Sequence, residues 1–214
     1  MSRPHAVIIA GGKGERLGGV CKAELRVGGI RLIDRVRSAL GDVAEPLMVS
    51  TGPVQARLRP GGAIAVRDLA GPTGGPLAGL AAAVEALRVR GVISGLLVSV
   101  PVDTPFLPSD YVSILQQNLG DAPAACAAWG DQSYPPNAIW QIDALAALPD
   151  EVREGTGVSS LKALLQRLGA VTVDWRGLAA ENPFLNLNTV DDLLTLGRMA
   201  RSDTPAPLIH SLGK

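Results

Sequence analysis

Glycines and cations alternate in AGGKGERLGGVCK, from Ala10 to Lys22: Gly11, Gly12, Gly14, Gly18 and Gly19 lie among Lys13, Arg16 and Lys22. Glycine lets a ligand approach main-chain N–H groups that a Cβ would shield. Successive N–H groups in such a loop make an anion-binding concavity, and nearby cations reinforce it. The chemistry this predicts is the binding of a phosphorylated molecule, most simply a nucleoside triphosphate; the competing reading is an ordinary flexible βα loop whose cations are merely solvated. Two common phosphate loops are excluded. A P-loop needs Gly-Lys followed by Ser or Thr, whereas Gly12-Lys13 is followed by Gly14; in a dinucleotide fingerprint Leu17 would have to be glycine.

Carboxylates and amides stand further along. Asp103 follows GLLVSVPV (Gly95 to Val102), the most strand-like run of the chain, and precedes Thr104-Pro105. Ligands of open α/β sheets bind outside the carboxyl ends of strands. A carboxylate there, facing a triphosphate loop, suits Mg²⁺, which takes one or two carboxylates and fills its shell with phosphate oxygens and waters. The competing reading makes Asp103 a turn residue with Thr104, or a cap for a helix starting near Pro108. Ala70 to Pro76 (AGPTGGP) is a breaker cluster leading into a long helix. It is either a second place for an anion or base edge, at a helix N-terminus, or a plain surface loop. Phe184 to Thr189 (FLNLNT) puts Asn186 and Asn188 on one face of an extended segment, where amides can hydrogen-bond a heteroaromatic ligand. Alternatively Asn188 or Thr189 caps a helix starting near Val190.

Other chemistries find little support. The histidines, His5 and His210, stand at opposite ends of the chain, against a His-based dyad or zinc site. No G-x-S-x-G elbow occurs. Cys21, beside Lys22, is either a reactive thiol or a bystander.

The elements that must position these groups follow from periodicity. Ala6 to Ala10 is a β-branched apolar run bounded by glycine, read as a strand buried on both faces. Ala23 to Val27 reads as a short strand, Ile30 to Leu40 as a helix ended by Gly41, Pro46 to Ser50 as a strand, Val54 to Arg59 as a helical turn and Ala63 to Val66 as a strand. Leu77 to Val89 is helical, Gly95 to Val102 extended, Tyr111 to Asn118 helical and Ala122 to Trp129 extended. Gln132 to Asn137 reads as a turn, Asp143 to Leu148 and Val158 to Leu168 as helices, and Ala170 to Asp174 as a strand. Strands alternating with helices at this spacing predict a mainly parallel sheet with helices on both faces.

At 214 residues the chain suits one large domain, or one domain with a small lobe. Apolar residues make up 47% and aromatics 3%, so the core must be built from Ala, Val, Leu and Ile. Twenty basic residues balance twenty acidic ones, so no basic stripe for nucleic acid is apparent. The two cysteines make no disulfide framework. A strand begins almost at once, leaving no room for a signal peptide, and no apolar stretch approaches a membrane span. The expectation is a cytoplasmic α/β protein with no membrane partner.

The motif AGGKGERLGGVCK resembles the LAGG-x-x-x-R-[ML]-G-x-x-x-K signature of nucleotidyltransferases that build sugar nucleotides and pterin dinucleotides. GGPLAG (Gly74 to Gly79) resembles the GPLAG segment after their third strand, VDTPF (Val102 to Phe106) their D-x-P-F motif, and FLNLNTVDDL their F-x-N-[VIL]-N-T-P-E-[DE]-L segment. The combination is most similar to the molybdenum cofactor guanylyltransferases, and the likeness runs to about Leu196.

That resemblance implies a three-layer α/β/α, Rossmann-like, mainly parallel sheet over residues 1–201, with a nucleotide-binding N-terminal half and an acceptor-binding C-terminal half; residues 202–214, with two prolines and few apolar residues, are expected to form a mobile tail. It implies transfer of GMP from GTP to the phosphate of molybdopterin, with pyrophosphate released. The catalytic residues would be Arg16, Lys22 and Asp103, with Asp103 binding Mg²⁺. Nucleotide binding would fall to Ile9, Ala10, Gly11, Gly12, Lys22, Ser50, Asp68, Pro76, Leu77, Gly79 and Asp103, the base being selected by Asp68 and the Pro76–Gly79 segment. Tyr134, Pro135, Asn186 and Asn188 would face the acceptor, although Tyr134 reads equally as a surface aromatic beside prolines. The implied assembly is a monomer in transient contact with proteins that deliver or accept the cofactor. Three positions depart from the pattern: Cys21 stands for a usual Asp, Ser50 for a common Asn, and Gly155 to Ser159 lacks the arginines of some members. Transfer of another nucleotide or to another acceptor (a CTP-dependent pterin reaction, a sugar phosphate) and non-catalytic nucleotide binding are the alternatives.

Overall fold

The computed structural model describes residues 3–11, 21–52, 62–187, 189, 192 and 194. In chain order the strands and helices are β1 (His5–Ile9), β2 (Arg26–Val27), β3 (Ile30–Arg31), α1 (Leu32–Leu40), β4 (Met48–Thr51), β5 (Ile64–Arg67) and α2 (Pro76–Val89). They continue as β6 (Leu96–Pro101), α3 (Tyr111–Leu119), β7 (Ala124–Trp129), β8 (Gln132–Gln141), α4 (Leu148–Glu154), α5 (Leu161–Leu168) and β9 (Val171–Asp174). Seven strands form one sheet in the order β5-β4-β1-β6-β8-β7-β9, and β2 pairs with β3 in a separate hairpin. Among the described strands of the large sheet only β8 runs antiparallel to its neighbours.

Alternation along β1 explains the layering. Ala6 and Ile8 join a core with α1 and α3, while Val7 and Ile9 join one with α2, α4 and α5. The sheet is therefore sandwiched between two helical layers, the three-layer α/β/α arrangement expected. Because α2 faces the sheet with Ala78, Gly79, Ala81, Ala82 and Ala83, all buried, it can lie close to the strands. The few aromatics concentrate on the α1/α3 side, where the Phe184 ring packs against Tyr134, Trp175 and Tyr111 at 5.1, 5.4 and 6.3 Å. No helix among the described residues is long and apolar enough to cross a membrane.

Local departures from the sequence reading have local causes. The strand expected from Ala23 is shortened to Arg26–Val27, preceded by a 3₁₀ turn at Lys22–Glu24, because it pairs with β3 across Gly28-Gly29, both at positive φ. Arg31 is extended and caps α1, so that helix starts at Leu32 and ends, as expected, at Gly41. Asp143–Leu145 is a 3₁₀ turn ahead of a separate α4, and α5 begins only after Ser160, whose hydroxyl accepts from Ala163 N at 3.2 Å. The turn expected at Gln132 to Asn137 is instead the first half of β8; the reversal occurs at Gly130, at φ 61°. Pro135 and Pro136 are tolerated there because β8's registered pairing with β6 ends at Ala138 and its pairing with β7 shifts between Cys126 and Ala128. The helical turn expected at Val54 to Arg59 lies outside the described residues.

Candidate active site

Successive connections from β1 run outward to β4 and β5, whereas β6 returns to the other side of β1. Strand order thus reverses between β1 and β6, and the crevice above their carboxyl ends is where such a sheet binds ligands. Backbone bonds stitch this edge together: Val102 N donates to Ile9 O at 3.0 Å, Ala10 N to Ser50 O at 3.0 Å and Asp68 N to Thr51 O at 3.1 Å. Ile9 and Ala10, both buried, therefore serve this edge as wall and main chain.

At the reversal, Lys22 Nζ donates to Asp103 Oδ2 at 2.9 Å, with the two side chains only 14% and 18% exposed. Asp103 lies in the turn after β6, where Thr104 Oγ1 donates to Pro101 O at 3.1 Å, and its carboxylate faces the crevice cation; α3 starts only after Asp110, so Asp103 is not its cap. Asp103 O accepts from Leu187 N at 2.9 Å, so the buried Phe184 and Leu187 dock the C-terminal segment on the β6 turn.

A second cluster forms beside the first. A Cβ on Gly11 would collide with Asp68 Oδ2, and one on Gly79 would collide with Ser50 Oγ and lie 3.4 Å from Asp68 Oδ1. The Asp68 carboxylate thus fits between two glycines, one from the β1 loop and one from the first turns of α2. Burial raises its pKa, and the neighbouring Ser50 hydroxyl offsets part of the rise. That contact falls short of full hydrogen-bond geometry: Ser50 Oγ and Asp68 Oδ1 are buried without a well-formed partner among the described residues. Gly52, which the sequence reading passed over, packs its backbone on Gly11; a built Cβ would lie 3.3 Å from Gly11 Cα. Its signal was the Gly52-Pro53 break directly after β4. Pro76 is exposed at the start of α2, whereas the Leu77 side chain is buried in the core, leaving only its backbone for a ligand.

On the other flank, the Tyr134 hydroxyl accepts from Asn182 Nδ2 at 2.7 Å, and Phe184 N donates to Asn182 Oδ1 at 3.0 Å. Tyr134 is therefore a half-buried bridge between β8 and the segment leading to Asn186, with Pro135 half-buried beside it and Asn186 exposed. Thr189 N donates to Asp192 Oδ2 at 2.8 Å and Asp192 N to Thr189 Oγ1 at 3.1 Å, a reciprocal capping box at a helix start. An adjoining groove of about 980 Å³ is lined by Arg35, Phe106 and Asn182 among others, and by neither Lys22 nor Asp68. Gly12, Arg16 and Asn188 lie outside the described residues.

Among the described residues, no group of three or more His, Cys, Asp or Glu side chains is arranged to hold a metal ion. Asp103, whose carboxylate is paired with Lys22 at 2.9 Å, is the residue that would hold a magnesium ion, with phosphate oxygens and water completing the shell.

Residues 6–172 match the family described as the MobA-like NTP transferase domain. The chain belongs to this family. Relatives named molybdenum cofactor guanylyltransferase include one from Cereibacter sphaeroides, 34% identical over 94% of this chain and 99% of its own length. Another, from Rhodopseudomonas palustris, is 32% identical over 93% of this chain and 95% of its own length. Among solved structures, molybdopterin-guanine dinucleotide biosynthesis protein A from Archaeoglobus fulgidus aligns with a TM-score of 0.67 at 22% identity, covering 92% of this chain and 99% of that one. A 2-C-methyl-D-erythritol 4-phosphate cytidylyltransferase from Thermus thermophilus aligns at 0.65 and 23%, covering 94% and 100%. The MobA-like fold is thus shared by enzymes named for different nucleotides, and base choice must come from particular residues.

Proposed function

We propose that this MobA-like protein transfers GMP from GTP to the phosphate of molybdopterin. A phosphate oxygen of the acceptor attacks the α-phosphorus, the bond from that phosphorus to the β-phosphate oxygen breaks, and pyrophosphate leaves. Such transfers depend on in-line positioning and charge stabilisation rather than on a protein nucleophile. The observation that carries the reading is the Lys22–Asp103 pair in the switch-point crevice, next to the carboxylate that Gly11 and Gly79 enclose. Lys22 neutralises phosphate charge and Asp103 holds Mg²⁺. The magnesium ion, when bound, supplies charge screening between two anionic reactants. Main-chain N–H groups from Gly11 onward and Arg16 bind the phosphate tail.

Asp68 and Ser50 favour guanine. The unsatisfied buried Asp68 carboxylate oxygen calls for a donor and the Ser50 hydroxyl can accept a second, and guanine presents N1–H and N2–H₂ side by side, whereas cytosine offers only its N4 amine. Relatives of near-equal length named as guanylyltransferases point the same way. Tyr134, Pro135, Asn186 and Asn188 form the acceptor side.

The test is pyrophosphate release by purified protein with Mg²⁺, molybdopterin and each nucleoside triphosphate in turn. Release with GTP and molybdopterin together is the expected result. Release with CTP instead, or only with another acceptor, would replace the substrate assignment; GTP binding without release would make the chain a non-catalytic module.

A further inference from the structure

β6 and β8 pair from Leu96 opposite Gln141 to Ser99 opposite Ala138, and there their registered pairing stops. Pro136 and Pro135 follow along β8 and have no N–H with which to extend the ladder. Two buried polar side chains meet at this parting: Asn137 on β8, 1% exposed, and Thr104, next to Asp103 and 0% exposed. Thr104 Oγ1 donates to Pro101 O at 3.1 Å and lies 3.5 Å from Asn137 Oδ1. A hydroxyl carries one proton, and the shorter contact takes it, so Thr104 turns a lone pair toward Asn137. The Asn137 amide nitrogen, meanwhile, is a buried donor with no partner among the described residues. Half a turn of the amide, whose two ends are nearly isosteric, settles both: Nδ2 then donates to Thr104 Oγ1.

The turn that carries Asp103 is thereby anchored twice. Leu187 N holds the Asp103 carbonyl from the C-terminal segment at 2.9 Å, and the Asn137 amide, so turned, would hold the neighbouring Thr104 hydroxyl, 3.5 Å away, from β8. We propose that Asn137 is a positioning residue, fixing through Thr104 the turn that aims the Asp103 carboxylate into the crevice. This rests on the reading of Asp103 as the metal-holding carboxylate of a nucleotidyl-transfer site. Asn137 belongs to none of the motifs that mark the family resemblance, and the sequence reading assigned it to a turn.

The experiment compares wild type with Asn137→Leu, Thr104→Val, the double variant and Asp103→Asn. Calorimetry gives the affinity for Mn²⁺·GTP and for GTP in EDTA; their ratio isolates the gain due to metal, and pyrophosphate release gives kcat and KM. Asp103→Asn should abolish the gain. Asn137→Leu and Thr104→Val should each cut it by about 10-fold and lower kcat similarly, with the affinity for GTP in EDTA unchanged, as is usual for partners that orient a metal ligand. The double variant should match Thr104→Val rather than the product of the singles, because Thr104→Val already removes the Asn137 contact along with the bond to Pro101 O. A wild-type gain in Asn137→Leu or Thr104→Val, whatever their melting temperatures, overturns the proposal, as does a multiplicative double variant. Should Asn137→Leu fail to fold, Asn137→Ser carries the same prediction. An undiminished gain in Asp103→Asn is a separate result that overturns the reading of Asp103 itself.

Discussion

The Lys22 ammonium and the Asp103 carboxylate, 81 positions apart, meet at 2.9 Å across the point where strand order reverses. One contact joins the cation assigned to the phosphates and the carboxylate assigned to the metal. Lys22→Ala should lower kcat by about 10²–10³, the cost of removing a preorganised charge stabiliser, with the fold retained in circular dichroism. It should also tighten Mn²⁺ binding to the nucleotide-free protein, because the carboxylate loses its competing cation. Near wild-type kcat would remove Lys22 from the mechanism.

Asp68 sets stability against binding. Burial raises its pKa, so its ionised form is disfavoured in the folded state. The sign is that of an acid raised on folding: the penalty is absent below the ordinary aspartate pKa, grows as pH rises, and is complete above the folded value. Asp68→Asn should therefore raise Tm at pH 7, with the gain vanishing in strongly acidic buffer. GTP affinity should fall by about 10–100-fold, as expected for a lost charged hydrogen-bond acceptor. Thermal melts across pH, paired with GTP titrations, check both halves.

Gly79 offers a steric test of the same pocket. Alanine there would ordinarily favour an α-helix by about 1 kcal/mol, but its Cβ would collide with Ser50 Oγ. Gly79→Ala should raise the KM for GTP by about 10-fold or more while the KM for molybdopterin changes little. Equal effects on both substrates would show that the collision disturbs the whole crevice.

Tyr134 should report on the acceptor. Tyr134→Phe removes the oxygen that Asn182 Nδ2 bonds and keeps the ring against Phe184. We expect a stability loss of about 1 kcal/mol, seen in denaturant unfolding, and a raised KM for molybdopterin with the KM for GTP unaffected. A loss of stability alone would make Tyr134 a structural bridge.

The arrangement of β1, β4, β5 and β6 was legible because these are short apolar runs ending at glycine or aspartate. Asp68 and Asp103 could be placed at sheet edges for the same reason. What could not be read is which edge groups touch. Nothing in the spacing of Lys22 and Asp103 announces an ion pair, since the register of β1 against β6 brings them together. Asn137 was hidden by Pro135-Pro136, which signal a turn wherever ladder N–H groups are needed and lose that meaning where pairing stops or shifts. The glycine cradle around Asp68 was half visible: Gly11 and Gly79 lie in recognisable motifs, but only the packing of α2 against β4 puts their missing Cβ atoms on either side of one carboxylate.

The most direct measurement is the fate of the α-phosphate. GTP labelled at that position, incubated with the protein, Mg²⁺ and molybdopterin, should pass its label into a pterin–guanine dinucleotide at the rate pyrophosphate appears, and Asp103→Asn should stop both. Label that remains in GTP, with the nucleotide bound and the acceptor intact, would contradict the account.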